Sequence, residues 1–443
     1  MTPSSRLTQY HLNSAERVKA APYVRTELIH RRTNGPTPWW HTGVVAEIPG
    51  VVDEVGAKML ADVMPLIKDL GFHAVVFRPA LIDFRESGHL LELIIDAAHD
   101  ADLKALVRLA GADVIPGDPG ERSYPFFGVE QSMANTIVRT RAALKAGADG
   151  IDLGKISESS RDPLAEKHAQ NFTKLVLFLM AELAEFSMDH ILAAGARTDL
   201  VANYHRHLEE EWLHHLRDDR LHKVPFDAAA LREVITTTIT ERDRIGSPAA
   251  WKAMLPRLVE TPDTQNVHKG SWEDGATTKR RASMRIILAG LPGAVYLPFG
   301  FSGGHVDFEG VAARLSNPVT DSERARVRHT KLALKLREKH DLGNGTFAWV
   351  SGLDWQRDGV AVFMSGGIMC VLNTSPHDIN VPLKNRLLLR SDSTKDEAVP
   401  ASQDVLKTGP AQIFSTAERE KQNCLTPGTT AWFAPPHLSA PDY

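Results

Sequence analysis

The chain has 443 residues, of which 43% are hydrophobic and 24% charged, and its formal net charge is -4 at pH 7. This length exceeds one compact core and predicts a large domain joined to a smaller one, with the composition of an ordinary soluble globular protein. The slight acidic excess argues against nucleic acid as a main partner, because phosphate binding needs a clear excess of Lys and Arg.

Cysteine use and the amino-terminal segment bear on where the protein works. Only Cys370 and Cys424 occur, so the sequence encodes neither a disulfide framework nor a cysteine-based zinc site, and we expect a reduced, cytoplasmic setting. Residues 1–38 are polar, with no apolar run long enough for a signal peptide or a membrane span. We interpret them as an extension, with a short helix near residues 14–21, that is either loosely ordered or a strap across another subunit.

From Trp39 onwards, short apolar runs alternate with amphipathic segments, a pattern typical of parallel strands joined by crossover helices. The predicted strands are residues 44–48, 74–77, 105–109, 148–153, 190–194, 221–224, 257–260 and 294–297. The predicted helices are residues 55–70, 90–100, 129–145, 163–187, 199–218, 227–242 and 276–291, with Asp227 as a candidate N-cap. Eight such units close a barrel, so residues 39–342 are predicted to form an α/β domain, a (β/α)8 TIM barrel.

Residues 343–443 carry a different pattern. Short β-rich runs such as Val360–Phe363 and Met369–Asn373 predict a C-terminal antiparallel β-sandwich domain. In a β/α barrel the chemistry lies at the carboxyl ends of the strands. The fourth predicted strand is informative there, because its period-two alternation places Asp152 and Gly154 on the same side, with a carboxylate one layer below a glycine.

Several segments, taken in order, resemble the α-amylase and α-glucosidase family of glycoside hydrolases, family 13. Residues 291–297, Leu-Pro-Gly-Ala-Val-Tyr-Leu, are similar to the eighth strand of that family. The other matching segments are Trp39-Trp40 and residues 66–75, 332–342, 360–373 and 426–433. The resemblance covers most of the chain after residue 38. It implies retaining cleavage of α-glucosides by two carboxylates about 5 Å apart, a nucleophile and a proton donor.

The residues that carry this chemistry in the family are replaced here. The fourth-strand motif ends in the nucleophilic Asp, and the matching residues 149–154 place Gly154 at that position. The proton donor that ends the fifth strand corresponds to Gly195 or Ala196, neither of which can donate a proton. By the family pattern, the chain therefore has no catalytic residues.

Two sugar-contacting motifs and one lobe of the family are altered as well. The third-strand motif ends at Asp113 without its Asn and His, the seventh keeps only Asp263, and the lobe usually inserted after the third strand is shortened or absent. Asp113, Asp152 and Asp263, with Glu47 lower in the barrel, could still supply a relocated acid/base pair if two of them converged. The alternative is structural, with Asp152 paired to Arg78 or Arg108.

Two further patterns have both a functional and a structural interpretation. His207, Glu211 and His215 are spaced four apart on a predicted helix, which suits metal ligands on one face but also an ordinary solvated, charged face. Residues 300–304, Gly-Phe-Ser-Gly-Gly, could cradle a phosphate, although they lack the Lys and Ser/Thr of a P-loop and follow the eighth strand as a family loop does.

Three functional hypotheses follow. The first is a non-catalytic α-glucosidase homologue that serves as an accessory subunit of an active α-glucosidase-type enzyme or self-associates. The second is an α-glucoside-acting hydrolase or transglycosylase that uses the three residual acids. The third is a carbohydrate-sensing module, with Phe126, Phe127 and Phe299 as candidate stacking residues. We expect no cofactor, no bound metal, no nucleic acid and no membrane partner.

Overall fold

The structure of the protein is a computed structural model. It describes residues 24–32, 34–79, 88–109, 130–156, 165–254, 268–299, 321–382, 384–392, 421 and 423–434.

The barrel predicted from the sequence is confirmed. A first strand, β1 (Arg25–His30), precedes the barrel strands, which are β2 (Val44–Glu47), β3 (Ala74–Phe77), β4 (Lys104–Arg108), β5 (Gly150–Lys155), β6 (Ile191–Ala196), β7 (His215–Asp218), β8 (Ala250–Lys252) and β9 (Ala294–Pro298). Each of the strands from β2 to β9 pairs in parallel with the next, and β9 pairs with β2. The closed sheet therefore has the eight strands of a TIM barrel.

The helices alternate with the barrel strands. They are α1 (Trp39–Thr42), α2 (Glu54–Asp69), α3 (Gly88–Asp100), α4 (Glu130–Lys145), α5 (Ala165–Phe186), α6 (Val201–Glu209), α7 (Arg220–Lys223), α8 (Ala228–Ile245), α9 (Thr278–Ala289) and α10 (Asp321–Lys339). The Asp227 side chain accepts a hydrogen bond from the Ala230 amide at 2.9 Å, so the predicted N-cap of α8 is confirmed. None of the helices described here is long and apolar enough to cross a membrane.

Apolar side chains pack on both sides of the barrel wall. Outside it, strand residues such as Val75 and Phe77 pack in one large cluster with helix residues such as Leu60. Inside it, a smaller cluster of apolar residues shares the barrel interior with polar side chains; its buried members are Val45, Ala74, Val76, Leu106, Ile191, Ala250 and Tyr296. This alternation is the period-two pattern of strands that are buried on both faces.

The C-terminal domain is the predicted β-sandwich. Its strands are β10 (Phe347–Ser351), β11 (Val360–Ser365), β12 (Ile368–Asn373), β13 (Ile379–Asn380), β14 (Arg386–Arg390), β15 (Cys424–Leu425) and β16 (Thr429–Ala434). The larger sheet has the order β1-β10-β11-β12-β16-β14, and β13 pairs with β15 in a smaller one. Trp349 Nε1 donates to Thr236 Oγ1 of α8 at 2.8 Å, which ties the larger sheet to the barrel.

The end of the amino-terminal extension belongs to this same sheet. Strand β1 pairs antiparallel with β10, and two side-chain contacts fasten it to α8: a hydrogen bond between His30 and Asp243 at 2.9 Å and an ion pair between Glu27 and Arg232 at 2.5 Å. A strap across another subunit is therefore a hypothesis for the residues before β1 only. The helix predicted near residues 14–21 lies outside the described residues.

Two strand predictions need correction or cannot be placed. The sixth barrel strand is His215–Asp218, not residues 221–224, most of which form α7, and the helix predicted to residue 218 ends at Glu209. The segment was misread because the strand carries His and Arg side chains that point into a polar barrel interior, which removes the apolar signature of a strand. The seventh strand is Ala250–Lys252, and residues 257–260 lie outside the described part of the chain.

The connection after the third barrel strand is short. Only residues 109–129 separate β4 from α4. The prediction that the lobe is shortened or absent concerns residues 110–129, which lie outside the described residues, and it stays a prediction.

Candidate functional site

Five charged side chains meet inside the carboxyl-terminal end of the barrel. We call them the barrel ion network; they are Glu47 of β2, Arg108 of β4, Asp152 of β5, Arg217 of β7 and Lys252 of β8. At most 8% of each side chain is exposed, and both carboxylates are fully buried. The network lies where enzymes with this fold place their catalytic groups.

Asp152 is the most heavily bonded member of the network. Its Oδ2 accepts from Arg108 Nε at 3.0 Å, Arg108 Nη2 at 2.9 Å and Arg217 Nη1 at 2.8 Å. Its Oδ1 accepts from Arg217 Nη2 at 2.7 Å and from the Gly154 amide at 2.8 Å. A carboxylate offers about four lone-pair sites, so these donors leave none for a substrate.

Arg108 extends the network to the first and seventh barrel strands. Its Nη1 donates to Glu47 Oε1 at 2.7 Å, and Lys252 Nζ donates to the same oxygen at 2.7 Å. Arg108 and Asp152 are register partners on β4 and β5, which explains why their side chains meet on one face. The result is a chain of alternating charges across the barrel, from Lys252 through Glu47, Arg108 and Asp152 to Arg217.

This environment removes Asp152 from acid/base chemistry. Burial alone would raise the pKa of Asp152, but the Arg108 and Arg217 guanidiniums outweigh burial and hold that pKa well below its ordinary value. The carboxylate is therefore ionised at any physiological pH and cannot act as a proton donor. It is also far too weak a base to accept a proton near neutral pH.

A neutral histidine continues the polar layer on the other side of Arg217. His215 Nε2 lies 2.6 Å from the Trp40 carbonyl oxygen, and Nδ1 lies 2.7 Å from the Tyr296 hydroxyl. A carbonyl can only accept, so Nε2 carries the hydrogen and Nδ1 accepts from Tyr296. Burial lowers the pKa of His215 to about 3, so the ring is uncharged. The Arg217 guanidinium stacks over the Tyr296 ring, 4.5 Å from its centroid.

Gly154 near the end of β5 and Gly195 near the end of β6 differ in how well they would tolerate a side chain. Gly154 has a φ of 70°, and the pairing of β5 with β6 is irregular between Asp152 and Lys155. A side chain at Gly154 would be strained by its left-handed backbone, at a cost of about 1–2 kcal/mol. Gly195 has room, because an added Cβ would lie 3.6 Å from its nearest neighbour, the Gly154 carbonyl oxygen.

Of the remaining sequence candidates, those that the structure describes do not join the network. Asp113, Asp263 and residues 300–304 lie outside the described residues. Ala196 is the last residue of β6, and that strand contains no Asp or Glu. Phe299 is buried at 4% exposure, while Phe126 and Phe127 are not described.

The proposed metal face on one helix is wrong. His207 lies in α6, Glu211 follows that helix with a φ of 52°, and His215 lies in β7 inside the barrel. The His207 ring packs edge-on to Phe172, with centroids 5.4 Å apart. Within the described part of the chain, no three His, Cys, Asp or Glu side chains form a group that could hold a metal ion.

The sequence interpretation found half of the Asp152 pairing. Arg108 was one of the two candidate partners of Asp152 and is confirmed. The second partner, Arg217, was missed, and so was Lys252, which pairs with Glu47. Arg217 was missed because its segment was assigned to a helix, and Lys252 because the seventh strand was placed too late. An alternation signal was available at residues 215–218, where His215 and Arg217 point the same way in a strand.

The chain was compared with family models, curated proteins and solved structures, and the solved structures to which it is similar include glycoside hydrolases. No protein-family model matches the chain, and no curated protein matches it. A candidate alpha amylase from Salmonella typhimurium is 13% identical with a TM-score of 0.46, covering 91% of this chain and 83% of that one. A GH30 endoxylanase from Clostridium papyrosolvens is 12% identical with a TM-score of 0.45, covering 90% and 97%. At this level the likeness concerns the overall fold and carries no argument about activity.

Proposed function

We propose that the chain is a non-catalytic homologue of family 13 α-glucosidases that serves as an accessory subunit of an active enzyme of α-glucan or α-glucoside metabolism. The proposal includes a reduced, cytoplasmic setting, in keeping with two cysteines that are both free, Cys370 and Cys424. It rests on the resemblance of the sequence to that family and on one structural observation, the barrel ion network.

The ion network supports this function because it occupies the place of a catalytic pair. Asp152 is saturated by five donors from Arg108, Arg217 and the Gly154 amide, and Gly154 itself is held in a backbone conformation that disfavours the family's Asp. A barrel kept for chemistry would need a second carboxylate, protonated and within reach of the first. A barrel kept as a scaffold gains from a network in which the buried charges alternate in sign.

The purified protein is expected to leave maltose and nitrophenyl α-glucoside unhydrolysed above the buffer background. Positioned acid/base groups each contribute roughly 100- to 10,000-fold to such rates, and the nucleophile is absent as well. The measurement is release of glucose or nitrophenol by a preparation free of contaminating glucosidase. The double variant Gly154→Asp with Gly195→Glu should stay inactive, because Arg108 and Arg217 remain fastened to Asp152.

Turnover by the wild-type chain would favour the alternative enzyme with relocated carboxylates. That enzyme would be identified by its loss of activity in Asp113→Asn or Asp263→Asn variants that keep the wild-type melting temperature. Saturable binding of maltose without turnover would instead favour a carbohydrate-sensing module.

An active α-glucosidase from the same cells is expected to co-purify with the chain, and the segment before β1 is expected to contribute to the contact. Residues 1–23 contain Arg6 and Arg17 and precede the strand that joins the C-terminal sheet. Contacts between Arg and carboxylates at an interface rim weaken with added salt. Deleting residues 1–23 should lower the affinity while leaving β1 paired, as measured by analytical ultracentrifugation against salt.

The truncation point matters for this experiment. Deleting residues 1–37 would also remove β1 and its side-chain contacts with α8. A loss of binding could then reflect damage to the C-terminal sheet. Unchanged affinity without residues 1–23 would contradict the role of the segment. Absence of a complex at micromolar concentrations with every co-expressed glucosidase would contradict the subunit function itself.

A further inference from the structure

A small pocket lies in the outer layer of the barrel, away from the barrel ion network. Its volume is about 20 Å³, and it lies between α9, α10 and the end of β9. Arg285 of α9 lines it together with Arg326 and Thr330 of α10, and much of the remaining wall is apolar, including Phe72 and Leu297. We call it the Arg285 pocket.

Arg285 is a buried cation that has no counter-charge among the described residues. Only 9% of the residue is exposed, and among the described residues no hydrogen bond or ion pair reaches its guanidinium. Within the part of the chain that the structure describes, the charged group that acts on the pKa of Arg285 is a second cation, Arg281. Burial, and then the charge of Arg281, lower the pKa of Arg285 to about 10, so it stays protonated at neutral pH.

Such an arrangement is unfavourable unless something neutralises it. Buried guanidiniums in folded proteins are paired with an opposite charge. The reason is that the free energy lost when an ion leaves water far exceeds the free energy gained from contacts with apolar neighbours. The barrel ion network follows this rule, since each buried Arg there faces a carboxylate. Arg285 breaks it, and it does so beside an open space lined by another Arg and a hydroxyl group.

We propose that the Arg285 pocket binds a small monovalent anion of the size and charge of chloride, held by Arg285 with the Thr330 hydroxyl as a further donor. The enclosed space is small and suits a single small ion. The apolar wall suits a weakly hydrated halide. Arg326, Val327 and Thr330 follow one another at helical spacing on α10, so the ion would join α10 to α9.

The first test uses the wild-type protein with bromide as the probe. In crystals grown with sodium bromide, anomalous scattering should show one bromide within about 3–4 Å of the Arg285 guanidinium, the range of a charge-assisted contact. In solution, chloride or bromide should raise the melting temperature by about 2–4 °C relative to sodium gluconate at equal ionic strength, and the effect should saturate. An empty pocket in saturating bromide would overturn the proposal.

The second test compares two Arg→Met variants. Arg285→Met should lose the halide-dependent rise, and in gluconate it should melt no lower than the wild type, because an uncompensated buried charge has been removed. Arg244→Met is the matched control, since Arg244 is exposed near the end of α8, and it should keep the full response. An equal halide response in Arg285→Met and wild type would overturn the assignment, as would a response to acetate with none to bromide. If Arg285→Met does not fold, the bromide experiment decides alone.

Discussion

The variant Asp152→Asn is expected to be less stable than the wild type by about 3–5 kcal/mol, the range found when one partner of a buried ion pair is removed. The Asn amide would turn a donor toward Arg108 and Arg217, whose guanidiniums now lie 2.7–3.0 Å from carboxylate oxygens. Both guanidiniums would stay buried with less negative charge beside them. Urea denaturation at pH 7 measures the loss.

A matched control separates this effect from simple removal of a charge. Asp69 forms an ion pair with Lys331 at 2.7 Å, but the two side chains are 60% and 48% exposed. Asp69→Asn should therefore cost less than about 1 kcal/mol. Equal losses in the two variants would contradict a structural role for the barrel ion network.

The loss in Asp152→Asn should also depend on pH with a definite sign. The folded-state pKa of Asp152 lies below its ordinary value of 3.8, so its stabilisation is complete above that value and is lost as the pH falls toward the folded-state pKa. The difference between wild type and variant should be constant from about pH 5 to 8 and should shrink below about pH 4. A difference that grows on acidification would contradict the ionised state of Asp152.

The variant Arg337→Met is expected to lose about 3–5 kcal/mol or to fail to fold, because Arg337 satisfies a group of buried carbonyls at the base of the barrel. Its Nη1 donates to the carbonyl oxygens of Ala289 at 2.9 Å and Leu291 at 2.6 Å. Its Nη2 donates to those of Thr42 at 3.2 Å and Gly293. These bonds join α10 to the turn between α9 and β9, the segment that resembles the family's eighth strand.

The turn that Arg337 holds has little freedom to rearrange. Gly293 has a φ of 95°, and an added Cβ would lie 2.3 Å from the Ala249 carbonyl oxygen, so the backbone is packed against the start of β8. Lys335→Met on the exposed face of α10 is the control and should stay within about 0.5 kcal/mol of the wild type. Thermal and urea unfolding of both variants, followed by circular dichroism, measures the two losses. A loss in the control as large as that in Arg337→Met would contradict the assignment.

Local patterns in the sequence determined the barrel and the β-sandwich. The alternation of apolar strands with amphipathic helices, the Asp227 cap and the β-rich run at residues 360–373 all depend on neighbours a few residues apart, and the structure confirms them. The sequence likewise shows that positions 154 and 195 are glycines and not acids, because a residue's identity can be read without coordinates.

Only the tertiary structure decided which charged groups meet inside the barrel. Arg217 reaches Asp152 across 65 positions of the chain, and β1 pairs with β10 although more than 300 residues separate them. Strand β7 was unreadable locally because its polar residues face a buried ion network, which cancels the apolar alternation on which strand prediction depends. Whether a buried charge is paired, as Asp152 is, or has no counter-charge among the described residues, as is the case for Arg285, is set by which distant strands and helices the closed barrel brings together.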